Sequence, residues 1–384
     1  MPDSRPRSGG LTRRTVAAAA GVRPWLPVRM PVRLPVRLPT PPPVLPLVLV
    51  LALLLASGVA VATSPPGSAS DGAPPVPADL RLLPLEGPVA TPDAEISAMC
   101  WCGDLLVLVP QHPERFGDRD DALVLFGLER RAIEAAIDAD HPAPLTPRRV
   151  VLEAPGLPAG IPGWEGFEAA VALGDTVFLA VESRADEGMA GHLLRGRAHR
   201  EGADGLRLVI DTDRVVPVPV PVRLPNMSQE ALVVHGERLV VLFEANGVNV
   251  NPGARVAFFD LDLEYLGSAP MDPVEYRITD ASEAAPGGVF WVINYFYPGE
   301  RDVLSPPGAQ DRPVEHLLEL RFDGERVSRS GRPALDLRRD DASPARNWEA
   351  LVRLSGRGFL LMTDRYPTTL LAFVPLATII EDEP

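Results

Sequence analysis

The chain has 384 residues, 46% of them hydrophobic, enough apolar material for one large core or two smaller ones. Residues 1–62 carry eight arginines against one acid, Asp3, whereas the remainder carries 29 arginines against 50 acids. An acidic body repels phosphate backbones, which argues against a nucleic-acid partner, and it suits cations.

Residues 1–44 are Arg/Pro-rich, with PVRLPVRLP at 31–39, a composition expected to be disordered. Residues 45–62, LPLVLVLALLLASGVAVA, form an uncharged apolar run with arginines ahead of it. The run ends in the small-x-small triplet Ala60-Val61-Ala62, so it reads as a cleaved signal peptide or a retained membrane anchor. Either reading exports the body to a periplasmic or extracellular location, with the membrane touched only through this segment. Residues 63–78, TSPPGSASDGAPPVPA, read as a linker, 79–377 as the globular domain and 378–384 as an acidic tail.

The domain is built of short apolar runs rich in Val, Leu and Phe, broken by Gly, Asp, Asn and Pro, which is an all-β pattern. One segment departs from it. LERRAIEAAIDAD (128–140) has apolar residues at helical spacing and predicts one inserted helix. The two cysteines, Cys100 and Cys102, lie two apart in MCWCGD. On a strand their Cα atoms would stand about 6.5–7 Å apart, at or beyond disulfide range, which favours two buried thiols over a bridge. The run VVPVPVPVRLP (215–225) has alternate prolines and fits an edge strand or extended connector, not a central strand.

The apolar runs come in pairs. Each pair opens on an acid and closes on a polar group: Glu95 with Gln111, Glu168 with Glu182, Glu230 with Glu244, Asp280 with Asn294, and Glu349 with Asp364. The separations within pairs are 16, 14, 14, 14 and 15 residues, while successive opening acids lie 73, 62, 50 and 69 apart. A constant short unit at variable longer spacing marks a repeat with loop insertions, and strand pairs at this period predict a β-propeller. Five blades are visible, and a sixth with a degraded signature would fit the two longest intervals. The last unit lacks a fourth strand after TTLLAFVPL (368–376), and ADLRLLPLEGP (78–88) would supply it, closing the ring with an N-terminal strand.

A hairpin that runs down a blade and back returns the chain to the face it left. All ten polar residues are therefore expected around one channel mouth. Carboxylates crowded there need a cation, shared protons or arginine partners. Oxygen ligands suit calcium, with Glu95, Glu168, Glu230, Asp280, Glu349, Glu182, Glu244, Asn294 and Asp364 as candidate ligands. Glu168, Glu230 and Glu349 are also candidates for catalytic acid or base. His112, Arg184 and Arg365 follow three of the closing residues and are candidates for holding an anionic substrate group. Polar loop residues and arginine pairs account for the same pattern without a metal. No Gly-x-Ser-x-Gly, HExxH or P-loop is present.

AEISAMCWCGDLLVLVPQHP, GFEAAVALGDTVFLAVES, SQEALVVHGERLVVLFEANG and NWEALVRLSGRGFLLMTDRYP together resemble exported bacterial propellers of the phytase-like (esterase-like) domain group. The resemblance, shared with calcium-dependent lactonase-type propellers, implies ester or phosphoester hydrolysis at a channel-mouth metal. A non-catalytic binding module for a small-molecule or cell-envelope ligand, monomeric in either case, is the alternative.

Overall fold

The computed structural model describes residues 73–117, 123–202, 205–305, 312–338 and 345–376. The Arg/Pro-rich region, the apolar run at 45–62 and the acidic tail lie outside them. Four antiparallel strands make each of five blades. Blade one is Ile96–Cys102, Leu105–Pro110, Leu123–Glu129 and Arg148–Glu153, and blade two is Trp164–Leu173, Thr176–Ala185, Gly188–Glu201 and Gly205–Ile210. Blade three is Gln229–His235, Arg238–Phe243, Arg255–Asp260 and Tyr265–Pro270, and blade four is Arg277–Ala281, Val289–Phe296, Val314–Phe322 and Val327–Arg329. Blade five is Trp348–Leu354, Gly358–Thr363 and Leu371–Pro375, completed by Arg81–Leu83 from the other end of the domain.

The innermost strand of each blade packs on that of the next, and the innermost strand of blade five packs on that of blade one. The ring is closed with five blades, and the long intervals hold insertions, not a sixth. Each inner strand is apolar on both faces because it serves two neighbours. In blade one, Met99 packs toward blade five while Ala98 and Cys100 pack toward blade two. Both cysteines are free and buried, as expected. Trp291, Ile293, Trp348 and Leu361 fill the space between blades four and five.

The inserted helix spans Arg130–Asp138 and buries Ile133, Ala136 and Ile137 against the junction of blades one and five. Its last carbonyls find a partner in the closing strand: Arg81 donates to Ile137 O at 2.6 Å and to Ala139 O. The Pro-rich run contributes Val216–Pro217, paired at the edge of blade two with Leu193 and His192. One pairing had no sequence signal. The outer strands of blades one and two run parallel and bond to each other, with Leu152 beside Leu208. Two exposed edges are thereby removed.

Ring closure gives a direct expectation. Leu83 is buried and three residue pairs join Arg81–Leu83 to Leu371–Phe373. A start at Pro84 also removes the buried Leu80 and the pairing of Val76–Pro77 with Leu335–Asp336. Losing two buried leucines and about five ladder pairs costs on the order of 8 kcal/mol, or roughly 15 °C in a domain of this size. A chain beginning at Pro84 should melt that much below one beginning at Ala73 when both are followed by circular dichroism.

Candidate functional site

The strand pairs share a feature that places the site. Each inner strand has a bulge near its entrance, where one residue drops out of register with the second strand. A bulged residue re-aims its side chain, here toward the mouth of the channel. The bulged residues are Ser97, Glu168, Glu230, Thr279 and Glu349. Three of the five predicted opening acids therefore hold the repeat position. The other two do not: in blade one the fourteen-residue spacing from Gln111 leads back to Ser97, not to Glu95, and in blade four the spacing is stretched to sixteen, from Thr279 to Tyr295. The hairpin of blade four has a longer connection, residues 282–288, than the tight turns of the others. Keeping a fourteen-residue spacing there selects Asp280 and Asn294 in place of Thr279 and Tyr295.

Ser97 and Thr279 serve the neighbouring acids instead of joining them. The Ser97 hydroxyl donates to Phe167 O, and the Thr279 hydroxyl to Trp348 O, each at 2.6 Å. Both acceptors immediately precede a bulged glutamate, so each hydroxyl braces the bend in the next blade. Gly166, at φ 132°, allows a similar close approach, since a Cβ there would lie 2.5 Å from Gln111 O.

A cavity of about 550 Å³ opens at this mouth. Its wall includes six carboxyls: Glu168, Glu182, Glu230, Glu300, Glu349 and Asp364. Two guanidiniums face it, and both are engaged. Arg277 lies 2.6 Å from Glu244 and 2.8 Å from Glu300, and Arg365 lies 2.7 Å from Glu95. Gln111 Nε2 donates to Glu168 at 2.6 Å. The Asn347 amide donates to Glu349 and, at 3.5 Å, to Asp364, so one side chain holds both acids of blade five. Tyr297 and Tyr366 stand half exposed on the rim, and Tyr295 is buried in the wall.

Burial is the first cause of the unusual acidity here, and the acids reinforce one another. Burial and then the Glu244 charge raise Glu182 to about 7. Burial raises Glu244 to about 7 against the pull of Arg277. Burial raises Asp364 to about 6, with Glu95 adding to it. Glu168, Glu230 and Glu349 are pushed well above the usual carboxyl range by burial, then by Glu182, Glu244 and Asp364 respectively. Some of the ring therefore holds protons at neutral pH.

The remaining sequence candidates lie elsewhere. Glu95 is away from the cavity wall, between Arg115, Arg365 and His112. His112 lies 3.6 Å from Glu95 and 3.4 Å from Glu114, and Arg184 donates to Glu165 at 2.8 Å; neither lines the cavity. Asp280 accepts from the backbone N–H of Leu351 and of Ala281 at 2.6 and 2.7 Å, which braces blade four against blade five. Asn294 donates to Glu275 O and Arg277 O, also a structural role. The nine proposed calcium ligands thus do not form one cage. Among the described residues, no three His, Cys, Asp or Glu side chains are grouped so as to hold a metal ion. Arg277, Asn347, Tyr295, Tyr297, Glu300 and Tyr366 line the cavity without having been singled out in the sequence. Arg277 occupies the place two residues before the bulge, where the other blades have Glu95, Gly166, Ser228 and Asn347. Only a bulge-based alignment of the repeats brings that position into view.

These shifts fix a pH dependence. An acid whose folded pKa is raised stabilises the fold below its unfolded value and loses that contribution as pH rises through the folded one. For Glu182 and Glu244 the window runs from 4.5 to about 7. One such group is worth on the order of 3 kcal/mol across it. Thermal melts should show the propeller several degrees more stable at pH 5 than at pH 8.

No family model matches the chain and no curated protein matches it. Solved structures of similar architecture include an exo-1,5-α-L-arabinanase from a bovine ruminal metagenomic library, with 13% identity, 75% of this chain and 95% of that one covered, and a TM-score of 0.42. The Cellvibrio cellulosa α-L-arabinanase aligns at 10% identity over 71% of this chain and 88% of its own, with a TM-score of 0.37. A Bombyx mori GH32 β-fructofuranosidase mutant in complex with sucrose aligns at 13% identity over 76% of this chain and 64% of its own, with a TM-score of 0.41. At this distance the likenesses carry no argument about chemistry.

Proposed function

We propose that the protein is a hydrolase that cleaves acetal bonds, as in glycosides, by acid–base catalysis in the carboxyl-lined cavity. The observation that carries this reading is the charge inventory of the wall: six carboxyls, with both guanidiniums already paired. Acetal cleavage passes through a transition state with positive charge on the sugar ring, which neighbouring carboxylates stabilise. Ester and phosphoester hydrolysis develop negative charge on oxygen, which needs N–H donors, free guanidiniums or metal ions. The same wall opposes that chemistry.

Roles follow from accessibility and acidity. Glu349 is only partly buried, unlike Glu168 and Glu230, and the charge of Asp364 helps keep its proton. Glu349 donates that proton to the leaving oxygen as the C–O bond breaks. Asp364, at about 6, is mainly ionised at neutral pH and supplies the carboxylate that faces the cation or takes a proton from the attacking water. Asn347 is the positioning residue for both. Tyr297 and Tyr366 offer ring faces for a sugar to stack on.

No step of this mechanism is routed through a metal ion. A panel of aryl glycosides, carboxyesters and phosphoesters, each assayed in EDTA and in calcium, separates the readings. Glycoside cleavage in EDTA is the expected result. Phosphoester or carboxyester cleavage that depends on calcium, with inert glycosides, would overturn it in favour of the metal-dependent hydrolase. Binding without turnover would favour the non-catalytic module.

A further inference from the structure

Resting on the acetal-hydrolase reading, we infer that the site selects substrates carrying a protonated amine, such as an amino sugar with a free ammonium group. Glu182 and Glu230 are over nine-tenths buried, line the cavity, and each has a carboxyl oxygen, Oε1 and Oε2 respectively, with no hydrogen-bond partner among the described residues. A buried acceptor left unpaired is costly, and many hydrogen-bonding groups of this kind are completed by a ligand. The buried Ser228 hydroxyl beside Glu182 can supply one hydrogen, and Glu230 and Glu244 can share one proton, so a partner that completes both oxygens brings further donors.

The ring order says where that partner sits. Glu182 belongs to blade two and Glu230 to blade three, whereas Glu349 and Asp364 belong to blade five, whose neighbours in the ring are blades four and one. The two orphan oxygens therefore lie across the channel from the acid–base pair. A substrate spanning the channel would place its scissile oxygen at blade five and its amine at the junction of blades two and three.

Three kinds of donor could complete these oxygens. A neutral hydroxyl supplies a single hydrogen and no charge. A divalent metal requires its oxygens grouped around one centre, which these side chains do not provide. An ammonium carries three N–H donors that can be taken up separately, and each becomes a charge-assisted bond as the carboxyl it meets gives up its proton. Arg277 does not satisfy this wall already, because its two Nη groups reach Glu244 and Glu300. Acylation of the amine would remove both its charge and two of its donors.

The test is calorimetric titration of the full-length protein in EDTA at pH 7.5 with glucosamine, N-acetylglucosamine and glucose. Hydrolysis of the corresponding aryl glycosides is measured alongside. Glucosamine should bind at least tenfold more tightly than either neutral sugar, the value of one charge-assisted contact. The double variant Glu182→Gln/Glu230→Gln should bring the three within about twofold of one another. Equal affinities in the wild type would overturn the inference, and that comparison decides even if the double variant does not fold. Tight calcium binding that displaces glucosamine would overturn it too. Cleavage of a neutral glucoside without amine preference leaves the acetal reading standing and removes this one. Amine preference with no glycoside cleaved does the reverse.

Discussion

Replacing Arg277 by leucine should destabilise the propeller by about 3–5 kcal/mol at pH 8, and by much less at pH 5. Arg277 is a guanidinium buried in the acid ring, and Glu244, its nearest partner at 2.6 Å, has no exposed surface. Without the arginine, an ionised Glu244 would be buried without its counter-ion. That carboxyl has an escape, because it titrates near 7 even with the arginine present. Below that pH it takes up a proton and the penalty shrinks. Urea melts of wild type and Arg277→Leu at both pH values read the effect directly. A loss of stability equal at pH 5 and pH 8 would mean that Glu244 is not the group Arg277 neutralises.

Glu349→Gln should lower kcat for glycoside hydrolysis by roughly 10²- to 10⁴-fold, with KM nearly unchanged. Glutamine keeps the shape and the oxygen that accepts from Asn347. It removes the proton that the leaving group needs. The loss should be smallest for substrates with acidic phenol leaving groups, which depart without protonation. A uniform loss across leaving groups would assign Glu349 a binding role instead. Asn347→Ala, by contrast, should shift the pH–rate profile, because it frees both acids of blade five from their common donor.

Much of the architecture was legible in the chain because it rests on repetition. Paired apolar runs such as ALVV and RLVVLF are continuous, not alternating, since each inner strand is packed on both faces. The closing strand was visible as a missing fourth strand at one end and a spare one at the other. The helix showed through its period, with Ile133 and Ile137 one turn apart. Within the site, Glu168, Glu230 and Glu349 were identified because the bulge falls on an acid in those three blades. Ser97 and Thr279 escaped because their hydroxyls were sought as carboxylates. The acids nearby, Glu95 and Asp280, were more conspicuous in the sequence but are committed to arginines and backbone N–H groups. Glu300, Tyr297 and Tyr366 come from connections between strands, where no period exists to reveal them. The parallel bonding of blades one and two was hidden for a related reason: an outer strand's composition does not name its partner.

The proposed chemistry depends most on one physical property: the acid ring carries protons at neutral pH instead of closing on a metal. Carbon-13 labelling of the glutamate carboxyls, followed by NMR from pH 4 to pH 9 in EDTA, measures it. Two resonances should titrate near 7 and disappear in the spectra of Glu182→Gln and Glu244→Gln respectively. Glutamates that all titrate in the ordinary range near 4.5, with the ring resonances moving only when calcium is added, would contradict it.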